Sequence, residues 1–417
     1  MYIRHLFKDI RTILYHSSLL LSGSVIAQII SVIAYPFLTR LYSPAQFGEF
    51  SVFLSITGIL AIISTGRFEY ALMLPKETKE AEDLKSLGLR WCLTFCFFIL
   101  IICTLAGIFI KPPAKIPGLY LIPFYVFTTS IIQIFSFYRN RLKEYPKLAQ
   151  LSVFQNITAT SSKLLLGFSG LLNKGLVTGS MIGQMAAALF ISDRSIWNCF
   201  QKKDNLKAAL SKYAVFPKYR MVQALINALS ANMPILFITY YFTAKDAGYF
   251  AIILGLGYKV ITLVSSSLYQ VMYQRFTELK TKRQAILPVY KKMSLLLLTA
   301  GIMGGIPVFL LAKPIITLYL GNSWTESIEY LKIMLPWLVL VLVVTPFAFI
   351  ADVFSLQRQV LIFDIVFMLL RIAGLYAGFL QGNVLLSVVL YCLISIAFLL
   401  FIAMWYFWII RKQDAGR

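Results

Sequence analysis

The chain has 417 residues, 59% of them hydrophobic and only 13% charged, and its 39 Lys and Arg against 17 Asp and Glu give a formal charge of +22. A soluble domain has no means of hiding that much apolar surface, and repeated apolar runs about one bilayer core in length mark a polytopic helical membrane protein. The runs are continuous rather than alternating, which excludes a β-barrel, and the basic residues fall mostly in alternate loops, which excludes nucleic acid as the reason for the charge.

In chain order, residues 1–16 set Arg4, Lys8 and Arg11 among Ile3, Leu6, Phe7, Ile10 and Leu14, a pattern that predicts a short amphipathic helix on the cytoplasmic membrane surface. The first apolar run is too long for a signal peptide and lacks a cleavage-type end, so it reads as an uncleaved span. Spans are predicted at 18–39, 47–74, 91–110, 119–138, 149–172 and 175–197. After a polar connector at 201–220 come 221–242, 248–272, 293–319, 333–352, 360–380 and 384–410. The expected fold is an all-α integral membrane protein of about twelve transmembrane helices in two six-helix lobes, 1–200 and 221–417, around a central cavity. The basic loops, with both termini on their side, are cytoplasmic by the positive-inside rule. Stretches 41–50 and 241–250 match loosely, each a polar turn that ends in Gly-x-Phe, as parallel-repeat transporters would show.

Soluble-enzyme chemistry has little to stand on. His5 and His16 are the only histidines and lie outside the spans, and no phosphate loop, HExxH or Cys/His cluster is present. Cys92, Cys96, Cys103, Cys199 and Cys392 read as small buried side chains, and the six Trp residues as an interfacial belt. No cofactor or metal is implied.

The informative residues are charges at membrane depth, each of which costs from about 2.5 to more than 10 kcal/mol. Arg67, Lys163, Lys259 and Arg371 are the candidate binding groups for an anion, phosphate above all. The competing reading is snorkelling for Arg67 and structural ion pairs for the other three. Glu69, Asp352 and Asp364 are either ion-coupling sites or counter-charges. Polar stripes at helical spacing (Ser24, Gln28 and Ser31; Ser152, Asn156 and Thr160; Gly255, Thr262 and Ser266; Gln223, Asn227 and Ser230) read either as cavity lining, with Gln28, Asn156 and Asn227 foremost, or as helix-packing glue. Arg139, Arg141, Lys143 and Lys147 read as topological determinants.

The segment SSLLLSGSVIAQIISVIAYPFLTRLYSPAQFGEFSVFLSITGILAIISTGRFEYALMLP resembles the N-terminal region of the Wzx-type oligosaccharide-lipid flippases, the polysaccharide-biosynthesis branch of the MOP transporter superfamily, and ANMPILFITYYFTAKDAGYFAIILGLGYKVITLVSSSLYQVMYQRF is similar to its second lobe. That resemblance implies a bacterial inner-membrane protein that moves polyprenyl-diphosphate-linked O-antigen, capsule or exopolysaccharide units to the periplasmic leaflet. The implied partners are the lipid-linked oligosaccharide, membrane lipids and the pathway's polymerase and chain-length proteins. The matching cations would be Arg67 and, behind it, Lys163, Lys259 and Arg371. Lipid II flippases usually carry two further helices, for which no spans are found here. A multidrug cation extruder of the same superfamily would need an acid-rich cavity. A membrane polymerase or ligase would need a substantial periplasmic loop, and a scaffold would translocate nothing.

Overall fold

The computed structural model describes residues 2–109, 118–170, 174–193 and 206–415, and all regular structure among them is helical. The chain runs through α1 (Tyr2–Leu41), α2 (Pro44–Thr65), α3 (Phe68–Ala71), α4 (Thr78–Phe109), α5 (Ile122–Arg141), α6 (Tyr145–Phe168), α7 (Gly175–Ile191) and α8 (Leu206–Lys212). It continues through α9 (Met221–Tyr241), α10 (Ala244–Thr281), α11 (Leu287–Leu310), α12 (Ala312–Tyr319), α13 (Ser327–Val344), α14 (Ile350–Val353), α15 (Gln357–Leu380) and α16 (Val384–Ala415). Among the described residues, 10 helices are long and apolar enough to cross a membrane. The polar 24-residue α6 and the 17-residue α7 complete the twelve expected. Internal contacts divide the chain into two units, Met1–Tyr42 with Glu49–Asn232, and Ser43–Gly48 with Met233–Arg417.

Several elements differ from the sequence reading, each for a local reason. The amphipathic start is not a separate surface helix: α1 continues unbroken from Tyr2 to Leu41, since no Gly or Pro interrupts the chain before Gly23. The second span stops at Thr65 instead of running to residue 74. The run at 293–319 is split between α11 and α12, because Pro314 has no amide proton for the Leu310 carbonyl and its ring crowds that group. Trp324 and Trp337 do not belong to an interfacial belt. Both are buried, Trp324 at 0% exposure with its ring edge-on to Phe47 and Tyr249. Trp408 is exposed as a belt residue would be, whereas Trp197, like Cys199, lies outside the described residues.

In the first unit, α6 and α7 pack through Gly179 and Gly183, spaced one helical turn apart, while Gly175 one turn earlier meets Tyr42. A Cβ on Gly183 would lie 2.4 Å from that of Ala159, and one on Gly179 would lie 2.7 Å from the Lys163 backbone nitrogen. The backbones meet where other residues would hold them apart. One apolar cluster gathers Phe68, Leu72, Leu84, Phe135 and Tyr138 with Ala187 and Ile191 of α7. The connector is part of this cluster, since Ala209 and Tyr213 are buried in it. Lys212 pairs with Glu80 at the foot of α4, and that carboxylate raises the ammonium above the usual lysine value.

In the second unit, Ser43–Gly48 packs on the first turn of α10, and the loose sequence match becomes a structural repeat. Both corners open on a capping box. The Ser43 amide donates to Gln46 Oε1 at 2.8 Å, and the Asp246 amide to Thr243 Oγ1 at 3.1 Å. The contact is reciprocal: a Cβ on Gly48 would meet the Ala244 carbonyl oxygen at 1.7 Å, and one on Gly248 the Pro44 carbonyl oxygen at 1.9 Å. Matching residues exchange contacts as in a two-fold interface. A second apolar cluster, built on Phe276, Phe347, Phe349 and Ile402, fills the far end of this unit.

The glycine contacts yield a stability test. Gly183→Leu must push α6 from α7, and overpacking of this kind costs about 1–3 kcal/mol; the purified protein should unfold at lower temperature. Gly58 and Gly304 have nothing within 4 Å of an added Cβ, so Gly58→Ala and Gly304→Ala should leave the midpoint unchanged or raise it through helix propensity, by about 0.5–1 kcal/mol. Thermal unfolding in detergent, read by intrinsic fluorescence, separates the two outcomes.

Candidate functional site

The site is built where α2 ends. Gly66 and Arg67 both adopt left-handed backbone, at φ 55° and 58°. Gly66 does so freely, whereas Arg67 is held there at about 1–2 kcal/mol. Two such residues in succession stop the helix and turn the chain into the single turn of α3. The end is satisfied locally: the Trp91 indole donates to the Ile63 carbonyl at 3.0 Å and the Gly66 amide to the same oxygen at 3.0 Å. Phe68, Ala71 and Leu72 sink into the apolar cluster and anchor the turn, while Arg141 Nη1 donates to the Leu72 carbonyl at 3.0 Å.

Beside the break lies a cavity of about 450 Å³ lined by Arg67, Tyr70 and Leu74, and by Phe216, Arg220, Gln223, Ala224 and Asn227 from the turn before α9 and its first turns. Its volume falls in the range of small-ligand pockets. Two guanidiniums, two side-chain amides and a phenol supply donors, and no carboxylate is among the lining residues. The Arg67 side chain, 18% exposed, pairs through Nη1 with Glu69 Oε1 at 3.3 Å, and its guanidinium carbon stands 5.3 Å from the Tyr70 ring centre. Glu69 is 1% exposed, and its Oε2 has no hydrogen-bond partner among the described residues. The chemistry available here is binding of an anion by planar, bidentate donors.

The other cations sit elsewhere. Lys163, half-buried on α6, holds Nζ 4.7 Å from the Phe50 ring centre. Arg371, on α15, is set against Phe398 and Tyr391 at 5.1 and 5.9 Å, and its Nε is buried with no hydrogen-bond partner among the described residues. Among the described residues neither makes an ion pair. Lys259 is half-buried on α10. Of the acids, Glu69 is in contact with a cation, Asp352 accepts from Gln357 Nε2 at 3.1 Å, and Asp364 is half-buried on α15.

Of the three amides singled out as lining, Asn227 borders the cavity. Asn156 instead accepts from Ser31 Oγ at 2.7 Å and so joins α6 to α1 as packing glue. Gln28 is half-buried, and its Oε1 has no hydrogen-bond partner among the described residues. Arg139 is more than a topological determinant. It is buried, pairs with Glu144 at 2.6 Å and Asp193 at 3.2 Å, and donates to the Ile191 carbonyl, tying α5 to the end of α7. The residues that sequence reasoning missed are Arg220 and Tyr70. Arg220 closes the polar connector at 201–220 and stands at the head of the Gln223–Asn227 stripe, and Tyr70 follows Arg67 by one short turn.

A family model described as polysaccharide biosynthesis protein matches residues 37–329. No curated protein matches the sequence. Among solved structures, the inward closed conformation of the lipid II flippase MurJ is similar with a TM-score of 0.71 at 11% identity, over 94% of this chain and 90% of that one. The inward-facing conformation of a multidrug resistance MATE family transporter of the MOP superfamily gives 0.64 at 12%, over 95% and 99%. A MOP superfamily transporter from Pyrococcus furiosus, described as having a binding pocket of reverse polarity, gives 0.58 at 12%, over 95% of each chain. At such identities the likeness concerns the fold alone. With most of its length matched by the family model, the chain belongs to the polysaccharide biosynthesis protein family and is a multi-pass membrane protein whose fold is similar to those of the MurJ and MATE structures.

Proposed function

We propose that the protein is a flippase that carries a polyprenyl-diphosphate-linked oligosaccharide, an O-antigen, capsule or exopolysaccharide repeat unit, from the cytoplasmic to the periplasmic leaflet of a bacterial inner membrane by alternating access. The observation that carries the reading is that Lys163 and Arg371, deep in their helices, face aromatic rings and make no ion pair among the described residues, in a chain of a polysaccharide biosynthesis family. Unpaired cations at such depth are expensive unless something anionic visits them. A lipid-linked diphosphate is that kind of visitor: its tail stays in hydrocarbon, whereas its charged headgroup cannot cross unaided.

In this reading Arg67 and Arg220 receive the headgroup at the cytoplasmic end, where two planar guanidiniums match two phosphoryl groups. Lys163, Lys259 and Arg371 then hold it during the switch of access. A cation extruder would present carboxylates where this cavity presents arginines. The excess of Lys and Arg in alternate loops supports cytoplasmic termini, and in this reading the pathway's polymerase and chain-length proteins receive the flipped unit.

Two measurements test this. In proteoliposomes loaded with the native lipid-linked glycan, joint replacement of Lys163, Lys259 and Arg371 by Met should slow translocation at least about tenfold, the loss expected for charge-assisted hydrogen bonds of about 1.5–3 kcal/mol. An unchanged rate in a variant that remains monodisperse removes the assignment. For orientation, a cysteine at Asn322 in a cysteine-free background should react with an impermeant maleimide in intact cells. One at Lys282 should react only after permeabilisation, and the reverse result inverts the topology.

A further inference from the structure

We propose that Glu69 is a built-in competitor for Arg67: an arriving diphosphate displaces it from the guanidinium, and the carboxylate left behind takes up a proton. The proposal rests on the reading that the Arg67 cavity receives the diphosphate, and it adds how the empty site is kept neutral and what its filling costs in protons.

Arg67 lines the cavity and pairs with Glu69, which is not among the lining residues. The pair is loose. Its 3.3 Å contact compares with 2.6 Å for Arg139 and Glu144 in the same unit, and charge-assisted N–H···O bonds usually fall near 2.7–2.9 Å. A guanidinium has five N–H donors, so a single long contact leaves most of them for a ligand. Glu69 has no freedom to follow, because its neighbours Phe68, Ala71 and Leu72 are locked in the apolar cluster.

Once the guanidinium turns to phosphate, Glu69 is a buried carboxylate with no compensating cation. Its Oε2 has no hydrogen-bond partner among the described residues. The charged groups on the neighbouring elements make contacts of their own or line the cavity. Lys85 of α4 lies 4.0 Å from the Tyr138 ring of α5, Arg141 of α5 donates to the Leu72 carbonyl, and Arg220 lines the cavity with Tyr70. An isolated buried carboxylate is neutralised by protonation rather than left charged. The exchange balances: the Arg67–Glu69 ion pair opens, an Arg67–phosphate pair forms, and one solvent proton converts the Glu69 carboxylate to the acid. Release of the ligand reverses each step and returns the proton.

The test is calorimetric titration of the full-length protein in nanodiscs with geranylgeranyl diphosphate at pH 7, in two buffers of different ionisation enthalpy. Wild type should take up close to ~1 proton per ligand more than Glu69→Gln. The ligand's own titration is common to both proteins and drops out of the difference. Glu69→Gln, its competing charge gone, should bind about tenfold more tightly, and the part of the pH dependence in which affinity falls as Glu69 ionises should vanish. Glu69→Asp, which keeps the charge, should keep the proton uptake. Equal uptake in wild type and Glu69→Gln, or weaker binding by Glu69→Gln, overturns the exchange while leaving the cavity reading intact. Absence of binding to either protein overturns both.

Discussion

The first unit depends on how its second helix stops. Had α2 continued past Thr65, Arg67 would have stayed on a membrane-spanning helix, at a cost of several kcal/mol unless it snorkelled. Two successive left-handed residues, Gly66 and Arg67, instead turn the chain so that the guanidinium borders a protein-lined cavity and Glu69 lies behind it in the core. The strain of about 1–2 kcal/mol at Arg67 is small beside the desolvation it avoids. In the second unit, α10 shares the Gly-containing corner of α2 yet runs on from Ala244 to Thr281. The repeat therefore holds at the corner and fails at the break.

The basic residues fall into distinct physical groups once their neighbours are known. Arg139, Arg141 and Lys280 are spent on structure: the first is locked by two carboxylates, and the other two donate to the Leu72 and Val353 carbonyls. Lys163 and Arg371 rest on aromatic faces, an interaction of about 0.5–2 kcal/mol. That is enough to hold a side chain in place, and weak beside a desolvated phosphate contact. The Arg67–Glu69 pair holds its guanidinium with a carboxylate in place of a ring.

Polar side chains within the spans were a weaker guide than charges. Many hydroxyls simply donate to the carbonyl one turn earlier: Thr57 to Phe53, Thr158 to Phe154, Thr262 to Tyr258 and Ser395 to Tyr391. Others link helices, as Ser31 does to Asn156, or as in the chain from Gln155 through Gln184 to Thr129 across α6, α7 and α5. In hydrocarbon an unsatisfied donor is costly wherever it faces, so a stripe of Ser, Thr and Asn is produced equally by a wet cavity and by a dry, hydrogen-bonded seam.

Apolar run length and the placement of Lys and Arg were enough to determine the class, the twelve spans and the expected orientation, because bilayer thickness and membrane insertion act on local composition. Arg67, Lys163, Lys259 and Arg371 were equally legible as costly intramembrane charges, as was the likeness between the two Gly-containing corners. What composition could not decide was whom each charge meets. Glu69 and Arg67 are two residues apart, yet only the left-handed turn makes them a pair at the edge of a cavity. Arg220 joins that cavity from far along the chain, and Arg139 is withdrawn from the loop charges by acids on two other segments. The small-residue stripe of α7 and the burial of Trp324 likewise depend on which backbone or ring lies opposite. Pairings between distant segments are set by packing, and packing is decided only when the helices are assembled.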